Sequence, residues 1–461
     1  TITYNSGSAQ TIVYGTYNNL TSSNFARTLS ATDTIHIKGI FTSGTGAYTS
    51  TGSTVNFNGT STQNIPNVSG GYNCLVINGS SVKTATANIT VISNLNVSSI
   101  STLNMSTFNI VSATTTNSGT GLILTASTSN IPLPSAVFWN CTVEYNSSSN
   151  QTLTTGTYSN LRFTGAGTKT ANGIITVNQT LNIGVGITVA MGTNQLSGTL
   201  TSIVGTGVLS TANTTSTPIP SGKTWPFGIN YVSASSQTVV NGNYLNLNTT
   251  GGNRVLASSG IIGISGTFTP GAGTFTNTGS TIEFNGSASQ TIPVFTFNNL
   301  TSSNTGARTL ASGTITVQGN FTSGSNSYTI TGNTMVFPTA TQNISGTFNN
   351  LTLNTAGTKT AIGNINVAGT ISVASGVTLD LTSAYILNGT LTTISNSGTA
   401  PKESTEKYFE RFHSQTPNQS LGLGLAIVKK IVEYYSYSVT YNYQNETHQI
   451  SVDFNTKIKT T

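Results

Sequence analysis

Four carboxylates are all that the first 400 residues offer for acid–base chemistry: Asp33, Glu144, Glu283 and Asp380. The paired acids of glycosidases stand about 5–9.5 Å apart. Glu144 and Glu283 share a context, Val143-Glu144-Tyr145-Asn146 and Ile282-Glu283-Phe284-Asn285, but are 139 residues apart. In stacked strands that is about five to seven layers, or roughly 25–33 Å. Asp33 and Asp380 lie near opposite ends. No catalytic residue is expected here. Metal binding fares no better, because calcium-binding β-repeats need a recurring Asp that is absent. His36 alternates with Ile35 and Ile37 and should point outward from a strand. Cys74 and Cys141 read as two unpaired packing residues.

Two other sets could bind a ligand. Tyr17, Tyr158, Tyr244, Phe297 and Phe348 recur just before a strand leucine. Stacked on one face they would hold sugar rings or a partner; the plainer reading is a core or turn-capping aromatic. Gly422 and Gly424 open an amphipathic run, and a glycine loop at a helix start is an anion site. Arg27, Lys83, Lys169, Arg254, Arg308 and Lys359 recur once per unit. They are expected in exposed turns, because few carboxylates exist to pair them and a buried unpaired charge is costly.

These residues belong to a repeat. Each unit opens with Gln and an apolar residue two places on: Gln10/Ile12, Gln63/Ile65, Gln151/Leu153, Gln237/Val239, Gln290/Ile292 and Gln342/Ile344. Then come a leucine (Leu20, Leu75, Leu161, Leu245, Leu300, Leu351), the base, and a period-2 run such as Ile175-Thr176-Val177. The glutamines are 53, 88, 86, 53 and 52 residues apart. Short alternating runs bounded by Gly, Asn or Ser predict strands with turns between them. A 53-residue unit is too short for an ordinary sandwich of about 100 residues. Stacking buries what one unit cannot. The expected fold is all-β, a right-handed parallel β-solenoid over 1–400 of roughly 15–20 coils, with the six leucines inward. A small α+β segment over 401–461 follows.

The break near Pro401 is chemical. Residues 1–400 hold 13 charged side chains, and the remaining 61 also hold 13. Ile427, Val428, Ile431 and Val432 predict an amphipathic helix; two alternating stretches, 438–443 and 449–454, predict a hairpin turning near Asn445-Glu446. The net charge of +6 is spread thinly, without the basic cluster that nucleic acid needs. No apolar run approaches the roughly 18 residues of a membrane helix. The chain starts at Thr1 without a signal peptide, so a processed or truncated product is expected.

Blocks such as Ser289-Gln290-Thr291-Ile292-Pro293, Phe297-Asn298-Asn299-Leu300-Thr301 and Ala356-Gly357-Thr358-Lys359-Thr360 resemble the β-strand repeats of secreted bacterial surface proteins and adhesins. Phe409-Glu410-Arg411-Phe412 and Gly422-Leu423-Gly424-Leu425 resemble the F and G2 boxes of the sensor histidine kinase ATP-binding domain, across about 402–455. That resemblance implies a phosphate-contacting role for Gly422 and Gly424. The magnesium-binding Asn, the Asp-x-Gly-x-Gly stretch and the phospho-acceptor His have no counterpart, and Ser420 replaces a glycine. ATP and magnesium are therefore expected only if missing elements complete the tail.

The first reading is an extracellular or cell-surface structural or adhesive repeat protein, without catalysis in the repeat. Its partners would be surface or polysaccharide ligands, or further copies of itself. A glycan-binding β-helix module, and a histidine-kinase-related protein with a truncated catalytic domain, are the alternatives.

Overall fold

Alternation of apolar residues with Thr, Ser and Asn makes one face of each short run dry and the other wet, and the chain folds accordingly. In a computed structural model, residues 1–111, 116–389, 391–397, 404–409, 424–434, 437–444 and 447–453 are described. The chain is a parallel β-solenoid of about 19 turns with a small α+β segment at its C-terminal end. It divides into two compact units, Thr1–Val255 with Gly271–Phe275, and Leu256–Pro270 with Thr276–Thr461.

The first unit shows how a coil is built. Strands Ile2–Tyr4, Leu20–Ser22 and Phe41–Thr42 stack in parallel, as do Gln10–Ile12, Arg27–Leu29 and Tyr48–Thr49. Gly15–Tyr17, Thr34–Ile37 and Thr54–Phe57 form the third side. Ile35 sits on Val55 and Val55 on Leu75, so a coil here takes 20 residues. A 53-residue repeat is thus about two and two-thirds coils, and each copy begins one side further round. The gaps of 88 and 86 residues hold extra coils, such as those that place Leu103 and then Ile123 over Lys83.

Inside, like stacks on like: Phe57, Ile77 and Val97 form one buried column, and Ile123, Val143, Leu161 and Leu181 another. Outside, neutral ladders run between coils, as where the Thr176 and Ser197 hydroxyls meet at 2.7 Å. Corners carry asparagines whose side chains cap the next coil: Oδ1 of Asn19, Asn299 and Asn350 accept from the amides of Ile40, Asn320 and Thr370 at 2.9–3.0 Å. The next coil answers with glycine. A Cβ on Gly39, Gly319 or Gly369 would lie 2.3–2.5 Å from those oxygens.

Five of the six repeat leucines are buried, but Leu245 is 38% exposed and Leu247 takes the inward place at 1%. The cause is spacing. Each inward leucine stands three residues after the buried aromatic of its copy, as Leu20 follows Tyr17, and Leu247 is three after Tyr244. An odd spacing with both side chains inward requires a break in the pleat between them. The parallel register shifts there, between Tyr158 and Asn160 for example.

In the second unit, Leu391–Ser397 pairs in parallel with Ile371–Val373 and antiparallel with Thr447–Asp453 over seven residue pairs. Ser438–Gln444 completes the hairpin. The turn at 445–446 lies outside the described residues. Helix α1 (Gly424–Tyr434) packs on the 3-10 turn Thr405–Phe409 and on Ser438–Gln444. Of its expected apolar stripe, Val432 is buried, while Ile427 and Ile431 stay about half exposed.

Candidate functional site

The repeated polar residues meet inside the corners of the solenoid. Each glutamine alternates with an inward Ile, Leu or Val two residues on, so strand geometry turns its side chain inward as well. Its Nε2 donates to two carbonyls of the preceding coil: Ile37 and Gly39 for Gln63, Thr125 and Ser127 for Gln151, Thr211 and Asn213 for Gln237. Gln290 uses Ile264 and Gly266, and Gln342 uses Val317 and Gly319. Its Oε1 accepts a nearby amide, Gly59 at 2.9 Å for Gln63 and Ser147 at 3.0 Å for Gln151.

The base lies one coil on, in register with the glutamine: Arg27 over Gln10, Lys83 over Gln63, Lys169 over Gln151, Arg308 over Gln290, Lys359 over Gln342. All six bases are buried, which corrects the expectation of exposed turns. The physical reason is a supply of inward-facing carbonyls. Lys169 Nζ donates to Ser147 (2.8 Å), Ser149 (3.1 Å) and Gln151 Oε1 (2.9 Å). Lys83 reaches Gly59, Ser61 and Ser81, and Lys359 reaches Thr339. Arg27 is held by Tyr4, Ser6, Ser8 and Ala26, Arg254 by Tyr231, Ser233, Thr250 and Asn253. Arg308 is held by Phe284, Gly286, Ser303 and Gly306. Charge-assisted bonds of this kind offset desolvation without a carboxylate. Burial still acts on the bases. It lowers Lys83, Lys359, Arg254 and Arg308, and takes Lys169 from 10.5 to about 8.

The recurring aromatics belong to the same corners. Tyr17, Tyr158, Tyr244, Phe297 and Phe348 are all buried, so none presents a ring face for stacking a ligand. They pack instead on a second aromatic that sequence reasoning missed, five or six residues before each glutamine. Tyr145 and Tyr158 hydroxyls lie 3.5 Å apart, Tyr231 and Tyr244 3.3 Å, Tyr4 and Tyr17 3.0 Å. Each pair clamps one backbone residue. The amide of Thr154 donates to Tyr145 and its carbonyl accepts from Tyr158, and Val240 and Val13 are held likewise. Where the first aromatic is Phe57 or Phe284, the clamped residue is Pro66 or Pro293, which has no N–H to satisfy. The covariation of Tyr with an N–H and Phe with Pro was legible in the sequence.

The other candidates do not converge. Glu144 is nearly buried, pairs with Arg162 at 3.4 Å and accepts from Thr164 at 2.5 Å. Glu283 lies in the second unit beside Gly263 and Thr301 in the neighbouring strands. His36 is half-buried on the outer face, its Nδ1 3.2 Å from Asn56 and 3.3 Å from Asn58. Cys74 and Cys141 are free thiols, and burial raises Cys141 to about 12. Among the described residues no group of three His, Cys, Asp or Glu could hold a metal. Gly424 is the first residue of α1; Gly422, Phe412 and Ser420 lie outside the described residues. Lys429 sits 5.9 Å over the Phe409 ring.

Fold and corners together define a parallel β-solenoid whose repeated polar residues face inward. No known protein family, curated protein or solved structure matches this chain.

Proposed function

We propose that the chain is an extracellular structural or adhesive repeat protein, serving as a stalk that spaces or presents contacts at a cell surface. The observation that supports this most is the corner: the Gln–base pairs are used within the fold, tying each coil to the one before it. What is left outside is a neutral surface of Thr, Ser and Asn, suited to multiple weak polar contacts. Its partners are surface or polysaccharide ligands, or further copies of itself. External protease on intact producing cells is the test. Release of peptides from 1–397 without lysis supports the reading; peptides that appear only after lysis overturn it.

A further inference from the structure

The sixth copy departs from its own repeat. In the first five copies an aromatic stands six residues before the glutamine, as Tyr145 before Gln151 and Phe284 before Gln290; Phe337 stands five before Gln342. The second aromatic follows at seven or nine residues in those copies, but Phe348 follows Gln342 at six. The corner has lost two residues, and one strand runs straight through it, Gln342–Phe348. Departures from an otherwise consistent local grammar concentrate at functional sites.

A groove opens where the corner is cut back. It holds about 440 Å³ and is lined by Ser323, Asn326, Tyr328, Thr347, Ile362 and Asn366, among others. That size lies within the roughly 300–1,000 Å³ of small-molecule sites. Its floor is stiffened by packed rings, with Phe321 5.8 Å from Phe348 and 6.1 Å from Tyr328. Gly363 brings two coils close, since a Cβ there would lie 3.0 Å from that of Ser345. No Asp, Glu, Lys, Arg or His lines the groove, so nothing in it selects an ion. Carboxamides and hydroxyls supply paired donors and acceptors. Ile362, 42% exposed, supplies an apolar face. Vicinal hydroxyls flanked by C–H faces match that lining.

We propose that this groove binds a neutral oligosaccharide, which names the ligand class of the adhesive reading above and rests on it. The full chain is titrated with hexaoses of β-1,4-glucose, α-1,4-glucose and β-1,4-mannose, by calorimetry and saturation-transfer NMR. One hexaose is expected to saturate. Asn366→Ala should weaken it about tenfold or more, and inserting Thr between Ser345 and Gly346, which restores the common spacing, should abolish it. Asn94→Ala, in an outer ladder of the other unit, should change nothing. If the insertion lowers the melting temperature, Thr347→Trp, which fills the groove, decides instead. No saturation by any hexaose overturns the proposal, as does binding that survives the filled groove. Surface exposure of the chain is measured separately, so the adhesive reading can stand when the groove assignment falls, and the reverse.

Discussion

At the scale of single residues, a buried amine surrounded by carbonyls is the determining contact. Lys169→Met would leave the carbonyls of Ser147 and Ser149 without their donor. The expected loss is on the order of 3 kcal/mol, read as a lower urea midpoint, while exposed Lys38→Met should stay within about 0.5 kcal/mol. The aromatic clamp allows a sharper test. Tyr145→Phe strands the Thr154 amide, costing about 1–3 kcal/mol. Adding Thr154→Pro removes that amide and recreates the Phe57–Pro66–Tyr72 arrangement, in which Tyr72 donates to the Pro66 carbonyl at 2.7 Å. The double variant should recover most of the loss; a double variant weaker than the single would refute the clamp.

At the scale of elements, the C-terminal hairpin covers the edge that Leu391–Ser397 would otherwise present. Open strand edges pair with other chains. Deleting 438–461 should therefore raise light scattering with time, relative to the full chain at the same concentration. A deletion that stays monomeric would show that the hairpin is dispensable. For α1, the glycine at its start offers only a few free N–H groups, and no acidic residue lies in its first turn. Phosphoryl transfer depends on positioning and metal-bridged charge neutralisation, for which the resemblance supplies no residues here. Calorimetry with Mg-ATP should reveal no micromolar site. Micromolar binding that disappears in Gly424→Val would establish one.

At the scale of the whole molecule, the buried bases and tyrosines shape stability against pH in opposite senses. Below about pH 8 Lys169 is protonated in both states. Between there and 10.5 the unfolded chain keeps the proton and the folded chain has released it, so rising pH favours folding. Lys83 and Lys359 act in the same sense. Tyrosines oppose this above 10, because burial raises Tyr231 and Tyr328 to about 12 and the unfolded chain ionises first. Urea midpoints should climb from neutral pH to about 9.5 and fall beyond about 10.5. Lys169→Met should flatten the climb and leave the fall.

The sequence by itself determined the strands, the turns and the stacking, because period-2 runs recurring at 52–53 residues bury their apolar face only against neighbouring coils. It also carried, unread, the three-residue step from aromatic to leucine that separates Leu247 from Leu245. Arg27-Thr28-Leu29 and Lys169-Thr170-Ala171 place each base on the same face as an apolar residue. That pattern predicts an inward base, and it lost to the rule that charges avoid the core. Only the tertiary structure decided the matter. The carbonyls that solvate Lys169 come from residues 18–22 positions earlier, assembled when one coil closes over another. The groove beside Gly346 is tertiary for the same reason: the shortened corner is visible in the chain, but the space it opens lies between residues 322 and 366 of successive coils.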